Sequence, residues 1–432
     1  MLLNVRMRLA VAGFVSLTAC CATAQQTFSK FDRERVLEML NVIGRDVRVQ
    51  YYDPKFHGVN WDSNLAEMRQ KIEQAPSLNM ALADIAAALD KLNDSHTFFL
   101  PPQHVASTDY GFQYQLVGDH CFVTRVRPGS DAESQGVRAG DEVLAINGYQ
   151  VTRNTQWKME YTYSVLRPQP GLRLTLKDPA GRERKLDVAA KIHTGERLTY
   201  APNSEWEIIR AAENQQHLVR TRYLELGDAV LVVKLQEFLY SEVESMIAKA
   251  RKFPNLILDL RGNPGGSAEA LKHMVGAMFD RDVEIDQRVT RKDTKPEIAK
   301  KAHNSCSGKI VVLVDSKSGS AAEMFARIVQ LEKRGIVVGD RSAGAVMEAE
   351  RYTERYMEGN TAVFYGASIT VADVIMSDGK SLEHTGVTPD DVLLPTATDL
   401  ATGKDPVLAH AVETFGVKLS PEDAGKAFPY EE

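Results

Sequence analysis

Apolar positions along the chain fall into three successive regimes. Over residues 28–100 they recur near the helical period. Val36, Leu37, Leu40 and Val42-Ile43 form one set; Leu82, Ile85, Leu89 and Leu92 share a face of segment 80–92. The spacing predicts two helices, the second capped by Ser77, with Tyr51-Tyr52-Asp53-Pro54 breaking the block. Over residues 108–190 the apolar runs shorten. Segments 122–126, 143–146 and 172–176 read as strands. They end in turns at Arg127-Pro128-Gly129-Ser130, Asn147-Gly148 and Asp178-Pro179-Ala180-Gly181. From about residue 220 strands and helices take turns. Segments 229–233, 256–260, 310–314 and 336–339 are predicted strands; 243–250, 268–279 and 320–332 are predicted helices. The runs at 256–260 and 310–314 are continuously apolar, as expected of parallel strands covered on both faces.

The fold class is therefore α/β over the second half of the chain, preceded by a β-rich module and a helical region. The boundaries are residues 1–24 for a signal peptide, 28–104 for the helical region, 108–190 for the β-rich module, 200–416 for the α/β core and 417–432 for a tail. Arg6 and Arg8 precede an apolar run of 11 residues, 9–19, too short for a bilayer-spanning helix. Two processing sites compete. Ala22-Thr23-Ala24 is an A-x-A site that starts the mature chain at Gln25. Leu17-Thr18-Ala19-Cys20 resembles a lipobox, which would anchor the protein to a membrane through lipidated Cys20. Either route exports the protein, to the bacterial periplasm or cell envelope.

Composition narrows the chemistry. The chain of 432 residues is 44% hydrophobic and 25% charged, an ordinary globular balance. A net charge of -6 without a basic stripe speaks against nucleic acid as a partner. Only Cys121 and Cys306 lie clearly beyond the signal, so neither a disulfide framework nor a cysteine metal knuckle is expected. His57, His104 and His120 lack ligand spacing and no H-E-x-x-H occurs, so no metal site is expected.

Two turns in the α/β block carry candidate chemistry. Asp259-Leu260-Arg261-Gly262-Asn263-Pro264-Gly265-Gly266 follows a buried strand and opens towards a helix. Such a turn exposes backbone N–H groups that suit a phosphate or an oxyanion, although its glycines also serve a plain tight turn. It is neither G-x-x-x-x-G-K-[ST] nor G-x-G-x-x-G. Ser318-Gly319-Ser320-Ala321-Ala322-Glu323-Met324-Phe325-Ala326 opens the next helix, where Ser320 reads as an N-cap or as a nucleophile.

Segments 126–132 and 136–148 resemble a PDZ domain. The resemblance implies peptide binding by strand addition, with a carboxylate-binding loop at Tyr110-Gly111-Phe112-Gln113 and Gly111 and Phe112 as peptide contacts. Together, the PDZ-like block and the two turns resemble the tail-specific, or C-terminal-processing, serine peptidases. These have a crotonase/ClpP-like core with an inserted PDZ-like domain. The resemblance implies Ser320 as nucleophile, with an oxyanion hole of Ala321 N–H and an amide from Gly265 or Gly266.

One departure decides the branch. The Ser–Lys dyad of the bacterial enzymes would need lysine at Ala345, and no lysine lies between Lys333 and Lys380. Leu92-Asn93-Asp94-Ser95-His96-Thr97 and Asp378-Gly379-Lys380-Ser381-Leu382-Glu383-His384 are instead similar to motifs of the tricorn-like branch. That resemblance implies His96 as general base and Glu383 as the group orienting it, with Asp378 and Glu348 as weaker alternatives and Glu323 supporting the serine-bearing helix. The implied function is an exported serine endopeptidase acting on polypeptide, with no cofactor and with substrate docked by the PDZ-like module; the oligomeric state is open. The alternatives are a non-catalytic peptide-binding or scaffold protein on the same fold, and an esterase, although no G-x-S-x-G elbow surrounds Ser320.

Overall fold

The computed structural model describes residues 28–102, 106–194, 220–359 and 361–429. The expected signal peptide, with Cys20, lies outside the described residues. Among the described residues, no helix is long and apolar enough to cross a membrane.

The N-terminal region holds three helices: α1 (Lys30–Gln50), α2 (Trp61–Gln74) and α3 (Leu78–Asp90). A Ser29–Asp32 capping box starts α1, and Ser77 accepts from Met80 N–H to start α3. α2 was not apparent in the pattern. Its buried positions are Trp61, Asn64, Met68 and Ile72, only three of them apolar. The three helices bury one core against a second sheet, described below, through Tyr365, Ala367 and Ile369.

The β-rich block begins after β1 (Phe98–Leu100). A two-stranded base pairs β2 (Ala106–Asp109) with β9 (Lys191–Thr194). The main sheet runs β3 (Phe112–Val117), β4 (His120–Val126), β5 (Glu142–Ile146), β7 (Gly171–Lys177) and β8 (Glu183–Ala189), with β6 (Tyr149–Gln150) beside β5. Two short helices cover it, α4 (Asp131–Ser134) and α5 (Gln156–Tyr161). β3 is an edge strand.

The α/β core is a six-stranded sheet in the order β10 (Arg222–Leu226), β11 (Val230–Lys234), β12 (Asn255–Asp259), β15 (Lys309–Val314), β16 (Gly335–Gly339) and β19 (Asp391–Val392). All neighbours are parallel except β10 with β11. One face is covered by α6 (Tyr240–Ala250), α7 (Ala268–Met278) and α8 (Ala321–Leu331). After α9 (Ala397–Thr402), α10 (Pro406–Glu413) and α11 (Pro421–Lys426) cover the other face. Helices on both sides explain the continuous apolar runs at β12 and β15.

A second sheet lies beside this core. Its spine is β18 (Thr361–Met376), paired along one side with β17 (Met347–Glu358) and along the other with β1 and β13 (Val283–Thr290); β14 (Thr294–Ala299) completes it beyond β13. These strands mix charged and apolar positions and gave no clear sequence signal. Their role is positional. β1 follows His96 directly, and β18 runs into the loop that carries Glu383.

Candidate active site

Loops that leave the C-terminal ends of adjacent parallel strands converge, which is where open α/β sheets place their sites. Here they are 260–266 after β12, 315–320 after β15 and 340–346 after β16. The first two interlock. Gly319 N–H donates to Asn263 O at 2.9 Å, and Ser318 Oγ donates to Leu260 O at 2.8 Å. Ser320 is then forced to φ 50, ψ -120, a region a non-glycine residue avoids.

Segment 342–346 is a strut between two turns. On one side Ala343 N–H donates to Ser318 O and Ser320 N–H to Ala345 O, each at 2.9 Å. On the other, His384 N–H donates to Gly344 O at 2.8 Å and Val346 N–H to Glu383 Oε2 at 2.8 Å. Glu323, fully buried in the first turn of α8, accepts four bonds: from Ser342 Oγ and from the N–H groups of Gly344, Ala345 and Ser320. Burial pushes its carboxyl up to about 7 against the downward pull of those donors.

The His96 segment is fixed by Asp94, whose Oδ1 accepts from His96 N–H at 3.0 Å, Thr97 N–H at 2.7 Å and Thr370 Oγ1 at 2.7 Å. Tyr51 O–H donates to its other oxygen at 2.8 Å. Burial, then the charge of Asp94, raise the Tyr51 phenol far above its ordinary value, so it remains a donor. Glu383 does not touch His96. It accepts from Ser95 N–H at 2.7 Å and from Ser95 Oγ at 2.9 Å, and Ser95 Oγ lies 2.7 Å from His96 Nδ1. A carboxylate only accepts, so the single Ser95 proton points to Glu383. Ser95 Oγ is then the acceptor for Nδ1–H, and the Nε2 lone pair is left free. Ser95 thus bridges a pair that sequence reasoning joined directly. No hydrogen bond runs between His96 and Ser320 in this structure.

The weaker acids are engaged elsewhere: Asp378 with Arg327 and Glu348 with Arg288. His384 Nε2 lies 2.9 Å from Asn93 O. Gly265, at φ +104, leaves no room for a side chain: a Cβ there would lie 2.6 Å from Ser320 Cβ. Its N–H donates to Asn263 Oδ1 at 2.8 Å, which removes it from the oxyanion candidates. Among the described residues nothing accepts from the N–H of Ala321 or Gly266. In the PDZ-like module the Gly111 N–H, expected to receive a peptide carboxylate, donates to Asp109 Oδ1 at 2.8 Å; Phe112 packs partly buried beside Tyr114. A cavity of about 310 Å³ flanks the strut, lined by Asn93, Ser95, Trp157, Lys317, Ala345 and His384 among others. No group of three or more described His, Cys, Asp or Glu residues is arranged to hold a metal ion.

Residues 229–393 match the model of peptidase family S41, 103–162 that of the PDZ domain and 32–77 that of the tricorn protease C1 domain. Residues 229–393 therefore form a peptidase family S41 domain, preceded by a PDZ domain. It is 26% identical over 370 residues to "Carboxyl-terminal-processing peptidase 3, chloroplastic" of Arabidopsis thaliana, an alignment covering 80% of this chain and 66% of that one. To "Probable CtpA-like serine protease" of Staphylococcus aureus it is 23% identical over 330 residues, covering 72% and 59%. The chain therefore spans slightly under two thirds of the length of these relatives. The crystal structure of mature CPAF shares the fold, with a TM-score of 0.64 at 15% identity over 86% of this chain and 94% of that one.

Proposed function

We propose that this chain, through its S41 domain, is an exported serine endopeptidase acting on polypeptide, with Ser320, His96 and Glu383 as its catalytic residues. The observation that carries the reading is the pairing of a strained Ser320 with two unclaimed amides, held by one strut against the Glu383–Ser95–His96 chain. Strain at a lone serine is retained where the geometry is used.

In the proposed reaction Ser320 Oγ attacks the substrate carbonyl carbon as its proton passes to His96 Nε2. The C=O electron pair moves onto oxygen, where the N–H groups of Ala321 and Gly266 receive it. Ser95 and Glu383 hold the Nδ1–H tautomer and stabilise the imidazolium. The C–N bond then breaks, His96 returns the proton to the leaving amine, and water hydrolyses the acyl-enzyme by the same steps reversed. Export rests on the signal-like residues 1–24, and free export and lipid attachment at Cys20 are separated by the mass of the mature N-terminus.

The test is mass spectrometry of a mixed peptide and unfolded-protein library incubated with the mature chain and with Ser320→Ala. Cuts are expected from the parent only, and His96→Ala and Glu383→Ala should each remove most of them. Equal cutting by parent and Ser320→Ala would overturn the reading. Empty profiles from folded parent would favour a peptide-binding protein.

A further inference from the structure

The β3 edge of the PDZ-like sheet is already taken. Among the described residues β3 has a sheet neighbour only in β4, so its other edge would be the place for an added peptide strand. That edge is closed by a side chain of α5, the helix facing it. Gln156 Nε2 donates to Tyr114 O at 3.4 Å, and Gln156 Oε1 accepts from Leu116 N–H at 3.3 Å. One amide group thus makes the two main-chain bonds that a ligand strand would make. Leu116 O is taken by Ser316 Oγ at 2.5 Å. At the head of the groove, the Asp109 carboxylate occupies the Gly111 N–H and is itself paired with Arg127.

The same side chains reach the nucleophile turn. Gln156 Nε2 donates to Glu160 Oε1 at 2.9 Å, and Lys317 Nζ donates to that oxygen at 3.1 Å. Gln156 and Glu160 are both buried. Lys317 lies three residues before Ser320. Alongside, Gln115 Nε2 donates to Asp315 Oδ2 at 2.6 Å, and Asp315 Oδ1 accepts from Gly262 N–H at 2.8 Å, which ties the brace to the glycine-rich turn.

We propose that the β3 edge serves as a brace for the nucleophile turn, with Gln156, Glu160 and Lys317 as positioning residues, and that peptide addition at β3 and an ordered Ser320 turn exclude each other. A strand entering the groove must displace Gln156 from Tyr114 and Leu116 and Ser316 from Leu116. That frees Glu160 from one of its two partners and loosens residues 315–317. The module then acts on catalysis as a fixed wall, and a free C-terminal peptide is no activator. This rests on the peptidase reading above, so its test includes a readout that does not need activity.

The experiment uses the full mature chain with Lys317→Met, Glu160→Gln and the charge swap Glu160→Lys/Lys317→Glu. Hydrogen exchange is followed at amides 315–321, and kcat and KM are measured on a quenched peptide with an amidated C-terminus. The two single variants should speed exchange there and lower kcat by about tenfold or more, with KM within about twofold. The swap should recover part of both. A ten-residue peptide with a free apolar C-terminal residue, titrated against the parent, should leave kcat unchanged or lower it. Parent-like exchange in both single variants, or activation by that peptide, would overturn the proposal. If the parent cleaves nothing while exchange follows the expected pattern, the brace stands and the peptidase reading fails.

Discussion

Ser95 has one proton to give, Glu383 can only accept, and His96 needs a fixed tautomer. The hydrogen bonds around Ser95 meet all three conditions at once. Ser95→Ala leaves Glu383 with the residue-95 and Val346 amides but cuts its link to the imidazole. A hydrogen bond to a charged group contributes about 1.5–3 kcal/mol, so kcat should fall by about 10- to 150-fold at about 1.4 kcal/mol per decade. KM should barely move, and Ser95→Thr should restore much of the rate. Parent-like kcat in Ser95→Ala would mean that Glu383 orients the base by another route. Ser320 offers a second residue-scale test. Its backbone sits where glycine is at ease and alanine is not. Ser320→Gly should therefore unfold at higher denaturant than Ser320→Ala, by about 1–3 kcal/mol, with both inactive. Equal stability would remove the argument from strain.

At the scale of elements, α8 and the 342–346 strut are joined through Glu323, and that junction has a pH signature. Its folded carboxyl is raised to about 7 by burial, above its value of 4.5 when unperturbed. A raised pKa means that the folded state holds the proton more tightly than the unfolded state. The stabilising contribution is complete below about 4.5 and is lost as pH rises through about 7. The shift corresponds to about 3 kcal/mol at about 1.4 kcal/mol per unit. Asp286, raised to about 6 by burial, contributes with the same sign. Glu323→Gln should accordingly flatten the fall in unfolding free energy between about pH 5 and 8 without abolishing it. An unchanged slope in denaturant titrations would show that Glu323 is ionised throughout.

For the whole molecule, separate chain segments are fastened across the central sheet by partly buried ion pairs. Arg261, in the glycine-rich turn, pairs with Asp259 at 2.8 Å and with Asp405, before α10, at 2.7 Å. Lys234 donates to Asp259 from β11. The two positive groups hold the Asp259 carboxyl well below the ordinary range even though burial opposes them. Asp405→Ala removes one of the two carboxylates on the guanidinium and the side chain that caps α10 by accepting from Leu408 N–H, and should cost about 1.5–3 kcal/mol. A calorimetric midpoint within a degree of the parent would count against that. The PDZ-like module is fastened in the same way, by Arg153 to Asp340 at 2.8 Å, so it is part of the wall around the site.

The sequence by itself determined the elements whose periodicity comes from one environment: α1 and α3 with a single apolar stripe, and β12 and β15 buried on both faces. It also determined which residue types stand at the turns, because Gly265, Gly266 and Ser320 mark strand-to-helix junctions whatever surrounds them. The β17–β18 hairpin was hidden because its strands face several neighbours and carry no single period. Tertiary structure alone decided the partners. Ser95 and Glu383 are 288 positions apart, and which proton lies between them depends on where β1 meets β18. The same holds for the groove: the PDZ-like pattern is local, but Gln156 fills it only because α5 and β3 pack face to face against the 315–317 turn.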